Sequence, residues 1–369
     1  MDYLNTSRTS GLSISALSGN FTSILDAGLD RFTTVMAGGS NGYDITERDN
    51  FRNSAIADDA TDRTNSALHS LKRAINIVSD AEQVECNIIS LPGVTNIQAT
   101  NHLLDTAEER GDTLAVIDLP FVYTADTESS ASAEDRNSFT IKQAVDSLRT
   151  RNINNSYGAA YYPWVRIADT LNNRTLWAPP SVAALGALSN TDRVAAPWFA
   201  PAGFTRGGLS DGAAGVPVVD ISRRLTSDDR DDLYEGNINP IAKFPAEGIV
   251  IFGQKTLQQT SSALDRINVR RLMIYLKREI SFIASRLLFA PNTRDTWTRF
   301  TQQATPVLEA VKTQFGIEDF RLILDETTTT PDLIDRNIIY SKLIVKPTRT
   351  AEFFAIDFVI TNSGAGFDD

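Results

Sequence analysis

His69 and His102 are the only imidazoles in the chain and Cys86 is its only thiol, so chemistry that depends on either must use these residues. A hydrolytic triad needs a nucleophile, a general base and an acid that orients the base. Both histidines fall in stretches of helical periodicity, and no Gly-x-Ser-x-Gly elbow is present. His102 adjoins Leu103 and Leu104 and reads as a partly packed helix residue. A single cysteine excludes an intramolecular disulfide and a Cys-rich zinc site. Cys86 precedes an apolar run and reads as inert. The segment Gly248–Thr256 (GIVIFGQKT) imitates a phosphate-binding loop. That motif needs Lys directly after its second glycine and a loop of backbone amides between the glycines. Here Gln254 intervenes, and residues 249–252 read as strand. Asp228, Asp229, Asp231 and Asp232, interrupted by Arg230, lack the calcium-loop pattern and suit the first turn of a helix. Glu108 and Glu109 read as solvated helix charge. Tyr161, Tyr162, Trp164, Trp177 and Trp198 could stack on bases or sugars, but such rings more often fill a core. No catalytic, cofactor-binding or metal-binding set emerges, and no cofactor or metal is expected.

Any such residues would have to be held by the elements around them. Residues 1–60 are rich in Ser, Thr, Asn, Gly and Asp and read as extended or loop structure. Apolar residues at helical spacing mark a helix within residues 59–79. Residues 87–91 and 113–119 are short apolar runs stopped by Pro92-Gly93 and Pro120. A helical stretch lies between them, with Thr95 as its expected cap and Gly111 as its expected stop. Strand, helix and strand in this order form a βαβ unit and imply a parallel sheet. Residues 124–138 carry no apolar side chain larger than Ala and read as a surface loop. Further helices are expected over 139–150, 181–187 and 224–233. Residues 157–167 read as a strand in which Pro163 signals an edge or bulge. Gly203–Gly215 reads as a glycine-rich loop and residues 248–252 as a buried strand. The strongest helix signal covers 268–289; a second, 293–315, contains Pro306, which should kink or divide it. Strands are expected over 320–324, 337–345 and 352–361. The last sets Phe354, Ile356, Phe358 and Ile360 on one face, so it needs a sheet to join.

Charge is distributed unevenly. The net formal charge of -11 argues against a protein that coats nucleic acid, and no direct nucleic-acid partner is expected. No apolar run approaches the ~18 residues of a membrane span, so no membrane insertion is expected. The first residues lack a signal-peptide pattern, which suggests an intracellular origin. The net negative charge lies before residue 241, and the remainder is close to neutral. Residues 255–286 hold seven basic side chains against Asp265 and Glu279, so an acidic body and a basic helix could pair between copies.

Several short segments occur in a specific order: 196–203 (APWFAPAG), 247–256 (EGIVIFGQKT), 267–272 (INVRRL), 289–292 (FAPN) and Trp297. With 38–44 (GGSNGYD) and 51–53 (FRN) before them, they resemble the tail sheath proteins of contractile-tailed bacteriophages, from about residue 35 onward. The resemblance implies a structural, non-enzymatic subunit that polymerises around an inner tail tube and contracts to drive it through the host envelope. It implies an α/β fold: a subtilisin-like α/β sheath core, then a C-terminal α+β region ending in an exchanged β-strand arm. The corresponding divisions are an N-terminal segment or domain remnant (1–58), the core (59–245), the C-terminal sheath region (246–345) and a linker arm (346–369). The arm carries Glu352, Phe353, Phe354, Ala355, Ile356, Asp357, Phe358, Val359, Ile360 and Thr361, with Lys346-Pro347-Thr348 as its joint. Arg270, Arg271, Lys277 and Arg278 are expected to face the tube or a neighbouring copy. The implied partners are further copies of the chain in stacked rings or a helix, the inner tube protein, and baseplate and tail terminator proteins. The implied location is the virion tail, assembled in the host cytoplasm. Family members commonly run longer than 369 residues, so a fragment or a compact variant is expected. A phage-derived device, such as a pyocin or type VI secretion sheath, would share these features; an α/β hydrolase is the rival of a different class.

Overall fold

The structure is a computed structural model that describes residues 53, 56, 65–120, 140–210 and 215–352. The expectations for residues 38–44, 51–52, 124–138 and 353–361 lie outside the described residues, as do nearly all of 1–58. The elements run α1 (Ser66–Val78), β1 (Ile88–Ser90), α2 (Ile97–Arg110), β2 (Leu114–Ile117), α3 (Ile141–Thr150), β3 (Gly158–Tyr162), β4 (Val165–Asp169), β5 (Arg174–Ala178) and α4 (Pro180–Val194). They continue with β6 (Val218–Ile221), α5 (Ser227–Glu235), β7 (Asn239–Phe244), β8 (Gly248–Ile251), α6 (Ile267–Ser285), α7 (Arg294–Thr313), β9 (Ile317–Ile323), α8 (Pro331–Asp335) and β10 (Lys342–Pro347).

The expected βαβ unit is present: β1 and β2 pair in parallel across α2. The main sheet has the order β1-β2-β3-β7-β8, parallel except for β8, which returns antiparallel to β7. Every residue of β2 and β3 is buried, as strands covered on both faces must be. Alternation sends Ala115, Ile117, Ala160 and Tyr162 to a core built with α2, α3 and α5. It sends Leu114, Val116, Ala159 and Tyr161 to the opposite core, against α4 and the start of α6. A smaller antiparallel sheet, β5-β4-β6, contributes Val165, Ala178, Val218 and Ile221 to that second core. The result is a mixed α/β fold with helices on both faces of the sheet.

Local chemistry explains several boundaries. Gly111 ends α2 in the left-handed conformation, φ 63°, which suits a residue without Cβ. The cap at the other end is Asn96 rather than Thr95, because its side chain accepts from the Gln98 and Ala99 amides. Thr140 and Gln143 form a reciprocal capping box on α3. Pro163 does not mark an edge. It follows a cis bond from Tyr162 and separates β3, central in the main sheet, from β4 in the second sheet. Pro306 does not divide α7, which runs continuously over 20 residues; α4 is likewise longer than expected, reaching Val194. A division between residues 245 and 246 would separate β7 from β8, which are hydrogen-bonded strands of one sheet.

Candidate functional site

The hairpin of β9 and β10 stands as a two-stranded sheet of its own, apart from the main sheet. β10 alternates along its length, and β9 does so from Asp319 to Leu322. Phe320 and Leu322 stand opposite Val345 and Leu343, and all four face inward. They pack on a platform made by Trp198, Leu272, Leu276, Leu308 and Val311, drawn from α6, α7 and the 196–199 segment, with Ile317 of β9 beside them. Gly316 lets the chain turn tightly into β9, because a Cβ there would lie 2.6 Å from Val311 Cγ1 and 3.1 Å from Trp198. The outward face holds Glu318, Asp319, Arg321, Lys342, Ile344 and Lys346, with ion pairs Lys312–Asp319 and Lys346–Glu318. Among the described residues, β9 and β10 pair only with each other, so each keeps one unpaired backbone edge. An edge of that kind accepts an added strand. The β8 edge of the main sheet is already covered: Leu209 donates to the Ile249 carbonyl at 2.8 Å, and Ile251 donates to the Gly207 carbonyl at 2.8 Å.

The expected joint at 346–348 is partly strand. Lys346 and Pro347 belong to β10, with a register shift between them, and the Thr348 amide donates to the Gly316 carbonyl at 3.2 Å. The chain is then pinned at Glu352. Its Oε1 accepts from Arg266 Nε at 2.8 Å and Gln254 Nε2 at 3.0 Å, and its Oε2 accepts from Tyr234 OH at 2.8 Å. Gln254 Nε2 also donates to Thr350 Oγ1 at 3.0 Å. Burial, then the Glu352 charge, pushes the Tyr234 phenol well above its ordinary range, so it remains a donor to that carboxylate. The phosphate-loop lookalike therefore has a structural role. Gln254, the residue that spoils the motif, is the pin, and Lys255 donates from Nζ to the Tyr234 carbonyl at 2.7 Å.

Of the four basic residues expected to face the tube or a neighbouring copy, two are buried within the subunit. Arg270 and Arg271 are buried, 6% and 3% exposed, so the expectation of an exposed face is corrected at both. The reason is that the first half of α6 packs into the chain's own core. Arg270 stacks on the Tyr157 ring, 3.9 Å from its centroid, and donates to Ser156 Oγ. Arg271 Nη2 donates to both oxygens of Asp192 on α4, at 2.8 and 2.6 Å. Lys277 and Arg278 are exposed, yet Lys277 Nζ donates to the Arg110 carbonyl at 3.0 Å and Arg278 pairs with Glu85.

The residues weighed for chemistry do not come together. His102 Nε2 meets Asn76 Oδ1 at 2.7 Å, His69 is exposed on α1, and burial pushes the Cys86 thiol up. Among the described residues no group of three or more His, Cys, Asp or Glu is placed to hold a metal ion. Asp228 and Asp229 do occupy the first turn of α5. Sequence reading overlooked Asp118, just beyond the C-terminal end of β2 and fully buried. Its carboxylate accepts from the Gly93 amide at 2.9 Å, the Ser181 amide at 3.0 Å and Ser181 Oγ at 2.6 Å. It ties the first turn of α4 to the turn after β1. A lone acid ending an apolar strand run was the available signal. Burial pushes its pKa from 3.8 up to about 6, with the hydrogen bonds opposing that shift.

Residues 64–257 match the phage tail sheath protein central domain, and residues 259–361 match the phage tail sheath C-terminal domain. The chain belongs to the phage tail sheath family. Over 223 residues it is 36% identical to the tail sheath protein of Vibrio phage KVP40, a stretch that covers 60% of this chain and 32% of that protein. It is 32% identical over 218 residues to the tail sheath protein of Enterobacteria phage T4, covering 59% of this chain and 32% of that one. The matched stretch thus spans about a third of these relatives. In fold, the sheath chain is similar to a chain of the anti-feeding prophage baseplate. The TM-score is 0.61 at 20% identity, covering 79% of this chain and 73% of that one. It is also similar to a chain of the PVC extracellular contractile injection system sheath complex in its contracted state, with a TM-score of 0.61 at 23% identity, covering 79% and 74%.

Proposed function

We propose that this sheath chain is a structural, non-enzymatic subunit of a contractile phage tail. Copies polymerise in stacked rings or a helix around an inner tube, meet baseplate and terminator proteins at the ends, and contract to drive the tube through the host envelope. The matches to both sheath domains, consecutive along residues 64–361, carry this reading. The core is taken to be the subtilisin-like sheath core, the particle to be a virion tail, and assembly to occur in the host cytoplasm. The arm beyond the Glu352 pin, through Thr361, leaves its own subunit and adds a strand to the hairpin edge of a neighbour. The hairpin supports this: its apolar face is anchored, its edges are unpaired among the described residues, and its outward side is largely polar. Each added backbone hydrogen bond is worth about 1 kcal/mol net, so one arm contributes a few kcal/mol while leaving the bodies free to repack.

The test mixes two chains, both carrying Cys86→Ser. One bears Ile344→Cys or Arg321→Cys on the hairpin, and the other bears Ile356→Cys in the arm. Electron microscopy should show hollow striated cylinders, and oxidation of those cylinders should give disulfide-linked dimers. Cylinders that form with neither hairpin position linking to the arm would refute strand exchange.

A further inference from the structure

Phe204, Phe244 and Phe252 form a cluster with ring centroids 5.0 to 5.6 Å apart. The cluster is incompletely covered: Phe204 is 50% exposed and Phe252 40% exposed. Arg230 lies 5.2 Å from the Phe244 centroid and 5.8 Å from that of Phe252, closing one side with a cation. The other side is an open groove of about 510 Å³, lined by Phe204, Phe252, Pro240, Ala202 and the chain's own Thr350–Glu352. Apolar surface of this kind on a globular protein usually has an occupant.

The geometry points to the aromatic pair Phe353-Phe354 of the same chain as that occupant. We propose that one of these two rings packs into the Phe204/Phe252 groove and fixes the root of the arm. Three observations converge. Glu352 is itself a wall of the groove and is held by Tyr234, Gln254 and Arg266, so the chain enters the groove at a fixed point. The next two residues are both Phe, and at about 3.3 Å per residue neither lies more than about 7 Å beyond that point. Successive side chains of an extended segment point to opposite sides, so an extended exit along the groove would turn one of the two rings toward it. A competing ring from another copy must overcome an effective concentration of about millimolar for the tethered pair. The proposal deepens the reading of the arm. It leaves residues 355–361 for strand addition and makes the clamp a defined root rather than a loose tether.

The experiment uses the full chain with Cys86→Ser and Phe204→Cys, combined in turn with Phe353→Cys and Phe354→Cys. Mild oxidation of dilute protein should link one of the two pairs within a single chain, read by mass spectrometry of the linked peptides. A second measurement guards against a distorting substitution. Phe252→Ser should make cleavage within 353–361 by chymotrypsin about tenfold faster, whereas Phe282→Ser, exposed on α6, should leave it unchanged. Links between chains only would overturn the proposal in favour of docking by a second copy. No link together with an unchanged cleavage rate would overturn it outright. Both chains of the strand-exchange test keep Phe204, Phe252, Phe353 and Phe354, so seating can fail while exchange stands, and the reverse.

Discussion

Asp118→Asn should make the stability of this chain less dependent on pH, by an amount the structure sets. In the folded chain burial raises the Asp118 pKa from 3.8 to about 6, against the opposing pull of Ser181 and Gly93. A carboxyl whose native pKa exceeds its unfolded value stabilises the fold in its protonated form. That contribution is full below the unfolded value, is lost as pH rises through about 6, and is absent above it. The shift of roughly two units is worth about 3 kcal/mol in total. Between about pH 7.5 and about pH 5, wild type should gain roughly 1 kcal/mol relative to Asp118→Asn, because Asn does not titrate. Urea unfolding of both proteins at both pH values measures this difference, in which every other titrating group cancels. A difference that stays constant with pH would mean the native carboxyl is unshifted. A difference of opposite sign would mean that three hydrogen bonds outweigh burial, which would refute the reasoning.

Arg271→Met removes the partner of Asp192 from a pair in which the arginine is 3% exposed and the aspartate 28%. Because the stranded aspartate keeps some water, urea unfolding should show a loss of about 2 kcal/mol, below the 3–5 of a fully buried pair. Leu308→Ala empties a fully buried position under the hairpin and should cost about 2–5 kcal/mol. Hydrogen exchange should then quicken at the β9 and β10 amides before those of β2 and β3; the reverse order would show that the platform does not carry the hairpin.

Much of the fold was legible because it rests on neighbours in sequence. The runs at 87–91 and 113–119 were recognisable as buried strands, and Gly111 as a stop, because periodicity and left-handed backbone are local properties. The ordered short motifs were enough to point to the sheath family, which the two domain matches bear out. The partners of charged and polar side chains were not legible. Arg271 reads as a surface cation until Asp192, 79 positions away, is brought against it, and Gln254 reads as a flaw in a phosphate loop until Glu352 arrives 98 positions later. By itself, then, the sequence determined the kind of element at most positions, the parallel pairing of the first strands and the family. Only the tertiary structure decided which basic residues were consumed inside the subunit, which platform carries the β9–β10 hairpin and where the chain is pinned at Glu352. Hydrophobic pattern acts through near neighbours along the chain, whereas hydrogen bonds and ion pairs form between whatever groups folding brings within about 3 Å.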